Sequence, residues 1–148
     1  MSHDEQPMPA GFTTLGYAGL LPFVGCVLAV ALLDGEARAL AVRALVAYGA
    51  VILSFLGAVH WGLLLRAGEP NVQSQLAVGV VPALAGWVAL LLPGREALAL
   101  LVVAYGGFWL YEHRVIGSRL LPTDYLRLRR SLSLAVCALL TLGLLSLG

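Results

Sequence analysis

Apolar residues fall into five blocks along this chain, with short polar runs between them. The blocks cover residues 14–33, 44–65, 76–92, 97–113 and 131–147. A helix needs roughly 20 apolar residues to cross a hydrocarbon core. None of the blocks has the apolar/polar alternation of a barrel strand, and only helices or closed barrels satisfy backbone polar groups in lipid. The pattern predicts an all-α integral membrane protein, a bundle of five transmembrane helices (residues 14–148) behind a polar tail at residues 1–13. Asp34-Gly35-Glu36 ends the first block, Gly68-Glu69-Pro70-Asn71 follows the second, and Pro93-Gly94 ends the third. Blocks three and four are read as two spans, because Arg95 and Glu96 would be costly together at the bilayer centre. Pro22 and Pro82 fall inside blocks, where each is expected to remove a backbone hydrogen bond and kink its helix.

Composition agrees with a lipid-facing surface. The chain is 60% hydrophobic and 11% charged, against about 25% charged in soluble domains, and its mean hydropathy is +0.92. A net charge of +1 makes no case for nucleic acid. Every basic residue is Arg, so chemistry through a lysine Schiff base is excluded. Cys26 and Cys137 sit inside apolar blocks, where thiols act as small hydrophobes. No zinc-type cysteine pair is present. Asp4 and Glu5 oppose a secretory signal or a mitochondrial presequence, both of which start basic. The first block is therefore expected to stay as a span.

Arg placement orients the bundle. Arg66, Arg114, Arg119, Arg127, Arg129 and Arg130 fall on the side of the N-terminus; Arg38, Arg43 and Arg95 fall on the other. The positive-inside rule then puts the N-terminus in the cytoplasm and the C-terminus outside.

Block two carries the densest chemical signal, YGAVILSFLGAVHWG at residues 48–62. Ala50, Ser54, Ala58 and Gly62 recur every fourth residue, and small residues so spaced let helices approach closely. Packing within this chain is the simpler expectation; a dimer seam is the other, so a homo-oligomer stays open. Trp61 suits the interfacial belt. His60 is expected to face the bundle interior, as ionisable residues in spans do. In block four, Tyr105, Phe108, Trp109 and Glu112 share one helical face. Topology alone then gathers His60, Trp61, Glu112 and His113 at the cytoplasmic end, beside a fourth loop holding Asp124, Tyr125 and five Arg. Interfacial anchoring, with long charged side chains snorkelling to the surface, is the bland account. The outer halves of the spans offer Tyr48, Ser133, Thr141 and little else. Phosphate-loop, zinc-protease and serine-elbow motifs are absent. Adjacent Glu112 and His113 point about 100° apart on a helix and do not suit a shared metal.

Three stretches resemble one bacterial and mitochondrial family: LGYAGLLPF (15–23), YGAVILSFLGAVHWG (48–62) and LPTDYLRLRRSLS (121–133). It is a domain-of-unknown-function family of small polytopic inner-membrane proteins that includes transmembrane protein 69. Ser54, Gly57, His60, Trp61 and Gly62 stand in the second stretch; Tyr125 and Arg129 match in the third, while Asp124 departs from the pattern. The resemblance implies residence in the bacterial inner membrane and no particular reaction. The expected function is a non-enzymatic binding or assembly factor with an Arg-rich cytoplasmic site. The candidate binding residues are His60, Trp61, Glu112, Tyr125 and Arg129, with no cofactor and no metal. Besides the lipid bilayer, the expected partners are an anionic lipid, a small anionic ligand or a membrane-complex subunit. The rival expectation is a small carrier or proton path using His60 and Glu112.

Overall fold

The computed structural model describes residues 10–68, 73–116 and 123–147, and these are helical throughout apart from short turns. The helices are α1 (Ala10–Ala18), α2 (Leu21–Leu32), α3 (Gly35–Ala67), α4 (Gln73–Leu91), α5 (Gly94–Tyr111) and α6 (Thr123–Ser146), with a π-helical turn at Glu112–Ile116 after α5.

Among the described residues, three stretches are long and apolar enough to cross a membrane: Thr13–Leu32, Gly35–Arg66 and Leu126–Ser146. The apolar part of α4, Leu76–Leu91, is shorter. Large apolar side chains such as Leu15, Leu32, Val51, Phe55, Trp87, Val103 and Leu145 point outward along these helices. Apolar exposure on that scale is foreign to a water-soluble monomer and natural to a surface bathed in lipid.

Two boundaries differ from the sequence expectation. The first block is not one rod: it breaks at Gly19-Leu20 between α1 and α2. Pro22 sits in the first turn of α2, where its missing N–H costs nothing, so it starts a helix instead of kinking one. The Tyr48 hydroxyl donates to the Gly19 carbonyl at 2.8 Å, which satisfies a backbone acceptor the break exposes. The second difference lies at residues 35–43, expected to be a loop. They form the first turns of α3, because Ala, Leu, Arg and Glu dominate there and all favour helix. At 33 residues, α3 is about 50 Å long, more than a hydrocarbon core about 30 Å thick requires. Gly68 ends it in the left-handed conformation, φ +64°, which glycine adopts without strain.

α3 and α4 form an antiparallel pair with a narrow seam. A Cβ on Gly57 would lie 2.5 Å from the Gly79 carbonyl oxygen, and one on Gly86 would lie 3.0 Å from that of Ala50. The contact stripe is therefore Ala50 and Gly57, seven residues apart, not the four-residue series. Ala58 and Gly62 are exposed, and nothing lies within 4 Å of where a Gly62 Cβ would be. The reason is geometric: a strict four-residue step advances about 400°, so the row drifts about 40° per step around the helix. Pro82 lies inside α4, buried and next to Gly57.

The apolar core fills the half of the bundle away from the N-terminal end. Phe23, Val27 and Val30 of α2 meet Leu45 and Leu53 of α3, Leu98, Leu101 and Tyr105 of α5, and Val136 and Leu140 of α6.

Candidate functional site

The other half of the bundle holds the buried polar groups. Among the described residues these are His60, Glu112, Arg129 and Ser133, each 3% exposed or less. They come from three helices. His60 lies near the end of α3, Glu112 opens the π-helical turn that closes α5, and Arg129 and Ser133 lie in the first half of α6. A π turn inserts one extra residue per turn and re-aims the side chains around it; such turns recur at functional sites.

The face predicted for α5 points inward. Tyr105, Phe108 and Glu112 are buried along it, while Trp109 sits at its flank, stacked on the exposed His113 ring at 5.5 Å. The Tyr105 hydroxyl donates to the Gly49 carbonyl at 2.6 Å. Phe108 is the floor of the polar group: the His60 ring meets it edge-on at 5.3 Å, and the Arg129 guanidinium carbon stands 5.5 Å from its centroid. Guanidinium groups are attracted to a ring face at that range.

Glu112 sits between two nitrogen-bearing side chains. Its Oε2 is 3.6 Å from Arg129 Nε, and its Oε1 is 3.9 Å from His60 Nδ1. Neither separation is a tight hydrogen bond. Arg129 donates from Nη1 to the Ser133 hydroxyl at 2.9 Å. That still leaves Arg129 Nε and Nη2 buried with no hydrogen-bond partner. A buried charge is tolerated when it is paired and hydrogen-bonded, and here the pairing is present but the hydrogen bonding is incomplete.

Arg129 and Ser133 also line a pocket of about 140 Å³. Leu15, Gly16, Gly19, Leu20 and Phe23 wall it from α1 and α2, Ile52, Phe55 and Leu56 from α3, and Leu132 and Val136 from α6, with Tyr105 at the back. The α1–α2 break makes room for it. α1 leans on α6 through Gly16 against Leu132 and Leu128, whereas Phe23 of α2 packs with Tyr48 of α3.

The predicted residues divide as follows. His60, Glu112 and Arg129 come together. Trp61 does not join them: its ring crosses to α4, Nε1 donating to the Leu76 carbonyl at 2.6 Å, and it is exposed. Thus Trp61 clamps the α3–α4 pair beside Gly79. The side chain of Tyr125 lies outside the described residues, as do that of Asp124 and the whole of Arg119. Sequence reasoning placed Ser133 with the outer half; it belongs to the polar group instead. The signal was available, since Ser133 follows Arg129 by four residues and such pairs share a helix face. Among the described residues no three of His, Cys, Asp or Glu gather as metal ligands.

Residues 8–145 match a family described as "Protein of unknown function (DUF3429)", and the chain belongs to that family. It is 40% identical over 106 residues to transmembrane protein 69 of Xenopus tropicalis and 35% identical over 106 residues to that of Mus musculus. Those matches cover 69% of this chain and 41% and 42% of the two relatives, so the chain spans less than half of their length. No solved structure matches it. With relatives named as transmembrane proteins and helices of this length and apolarity, the chain is a membrane protein.

Proposed function

We propose that this DUF3429 protein is a multi-pass inner-membrane protein of five spans that acts, without catalysis, as a binding or assembly factor for an anionic group. In this reading α1 and α2 together make the first span, the N-terminus is cytoplasmic and the C-terminus outside. The single observation that carries the binding role is Arg129: buried, short of hydrogen-bond partners at Nε and Nη2, and part of the lining of a pocket. A guanidinium offers five N–H donors, and an arriving anion would take those at Nε and Nη2 that the bundle leaves over. Glu112 supports the role by holding Arg129 Nε, and His60 supports it from behind the carboxylate.

The test is thermal unfolding of the full-length protein in detergent with added anions, with and without an acyl chain. Phosphatidylglycerol or glycerol phosphate is expected to raise the melting temperature of the wild type and to leave Glu112→Gln/Arg129→Gln unmoved. No shift with any anion, or an equal shift in both proteins, removes the binding role. Orientation is tested separately. A C-terminal alkaline-phosphatase fusion is expected to be active and a cytoplasm-only reporter fused there dark; the reverse pattern overturns it.

A small carrier or proton path using His60 and Glu112 is the second reading, favoured by their 3.9 Å approach. It needs a polar route to the far side. Along α6 the next hydroxyl, Thr141, is spent on the Cys137 carbonyl at 2.7 Å, and the core beyond is apolar. Proton flux into proteoliposomes that Glu112→Gln abolishes would promote this reading over the first.

A further inference from the structure

We propose that the pocket beside Arg129 is a lateral groove that takes one acyl chain of an anionic phospholipid, with the lipid phosphate at the guanidinium. This rests on the binding role argued above and names the class of ligand.

The first argument is shape. On α6 the groove is lined by Arg129, Leu132, Ser133 and Val136. These positions lie on one helix face and extend for about 10 Å along the axis. On the opposite wall Leu15 comes from α1, Gly19 from the break and Phe23 from α2. The groove therefore runs parallel to the helices, as an acyl chain does in a bilayer. Its single cationic group stands at the end of the α6 wall nearest the N-terminal face, where a headgroup of that leaflet would be. From there inward the lining is apolar except for the Ser133 and Tyr105 hydroxyls.

The second argument is access. Leu15 and Phe55 line the groove and are 75% and 61% exposed, so its mouth opens sideways on the lipid-facing surface, between α1 and α3. A water-soluble ligand would have to enter through the membrane. A lipid is already there.

The third is size. A volume of about 140 Å³ is below the roughly 300–1,000 Å³ of sites that enclose a whole small molecule. The occupant must leave most of itself outside, as a lipid does when one chain and the phosphate are held and the rest stays in the bilayer.

The fourth is charge. Arg129 Nη1 is engaged by Ser133, Nε stands 3.6 Å from a Glu112 oxygen, and Nε and Nη2 are both buried without a hydrogen-bond partner. A small turn of the Arg129 side chain toward the groove would let a phosphate oxygen complete the guanidinium. A zwitterionic headgroup brings the same phosphate together with a cation that would meet Arg129 unfavourably, so the groove should prefer a phosphatidylglycerol-like headgroup over phosphatidylcholine.

The experiment is native mass spectrometry of the delipidated full-length protein in detergent, titrated with phosphatidylglycerol, phosphatidylcholine and glycerol phosphate. Phosphatidylglycerol is expected to bind about five- to tenfold more tightly than phosphatidylcholine, the weight of one well-placed Arg. Ile52→Phe should fill the groove and lose both lipids. Leu15→Trp, at an exposed position that does not threaten folding, should block the mouth with the same result. Glu112→Gln/Arg129→Gln should keep chain binding and lose the headgroup preference. Equal binding of the two lipids by wild type overturns the inference. So does undiminished phosphatidylglycerol binding in both groove variants. If glycerol phosphate binds as well as the lipid and ignores both groove variants, the lipid is wrong and the anion-binding role stands. If no anion binds at all, both fall.

Discussion

The two ends of this bundle are built on different terms. At the end away from the N-terminus, Val27, Val30, Leu45, Leu98 and Leu140 close on one another with 7% exposure or less. The charged side chain that enters there, Arg38, reaches the carbonyl of Ser146 near the end of α6 and so serves as a helix cap, with its Nε alone left buried and without a hydrogen-bond partner. At the N-terminal end, Glu112, Arg129 and His60 are equally buried, yet both Glu112 oxygens and two Arg129 nitrogens, Nε and Nη2, lack a hydrogen-bond partner. In lipid this contrast is informative. Lipid tails are as apolar as Leu, so helices associate through packing and polar contacts and not through the hydrophobic effect. The apolar end needs only good packing. The polar end has no such account, because a buried ion pair is often no better for stability than apolar residues of similar volume.

The sharpest way to break the comparison is to remove one charge from the polar end. Arg129→Leu leaves Glu112 buried without its cation, and loss of one member of such a pair typically costs about 3–5 kcal/mol. The expected outcome is a large drop in the SDS concentration at half-unfolding, read by circular dichroism. Glu112→Gln/Arg129→Gln should recover most of it, since no lone charge remains. Equal losses in the single and double variants would mean that the cluster matters through shape and not charge.

A cut at the apolar end should cost less. Leu98→Ala removes a fully buried side chain of the core. Water-soluble cores lose about 2–5 kcal/mol for this change, but part of that is transfer from water, which the membrane-embedded reference state does not repeat. The same SDS assay should therefore report a loss below that range and below that of Arg129→Leu. A Leu98→Ala loss above that of Arg129→Leu would reverse the ranking of the two ends.

How far each end was legible follows from what sets it. Periodicity and turn residues marked the helical segments, and Pro93-Gly94 separates α4 from α5 as two helices. Counting helices up and down put His60 and Glu112 at one end, and the structure brings them to 3.9 Å. Besides the early start of α3 and the place of Ser133, three features escaped. The α1–α2 break depends on where a mid-block Pro22 falls relative to a helix start, which hydropathy does not register. The π turn at Glu112 carries no composition signal. The contact stripe of α3 was misassigned because Ala50, Ser54, Ala58 and Gly62 look regular in sequence, while only Ala50 of that row faces the α4 seam directly. The groove depends on all of these at once, so no local pattern announced it.

The α3–α4 seam offers a milder test at the edge of the polar end. Gly57→Ala would put a methyl 2.5 Å from the Gly79 carbonyl oxygen, which is backbone and cannot swing aside. Overpacking of this kind costs about 1–3 kcal/mol. Because His60 and Trp61 follow on the same helix against Gly79, the shift should also disturb the polar cluster, and Trp fluorescence should register it. Unchanged stability and an unchanged spectrum would mean that the two helices can part at this point without consequence.

The smallest effect is expected one residue further along α3. Ala58→Leu falls on the same helix, in the same small-residue series, and the sequence pattern alone would forecast overpacking there too. Ala58 is exposed, however, on the side of α3 that also shows Val51, Phe55 and Leu65 to the surroundings. A larger apolar side chain facing lipid displaces nothing within the chain, so the monomer should change by no more than about 0.5 kcal/mol, as surface substitutions generally do. The comparison with Gly57→Ala is then decisive for what this surface is. If Ala58→Leu leaves the melting temperature in detergent unchanged and the protein runs as a monomer with or without it, the surface is simply solvated by lipid. If stability is unchanged but a wild-type dimer disappears on chemical crosslinking in membranes, Ala58 and Gly62 form a seam between two copies, since small residues at this spacing let helix backbones approach. If Ala58→Leu destabilises the monomer as much as Gly57→Ala does, the assignment of the inward face of α3 is wrong.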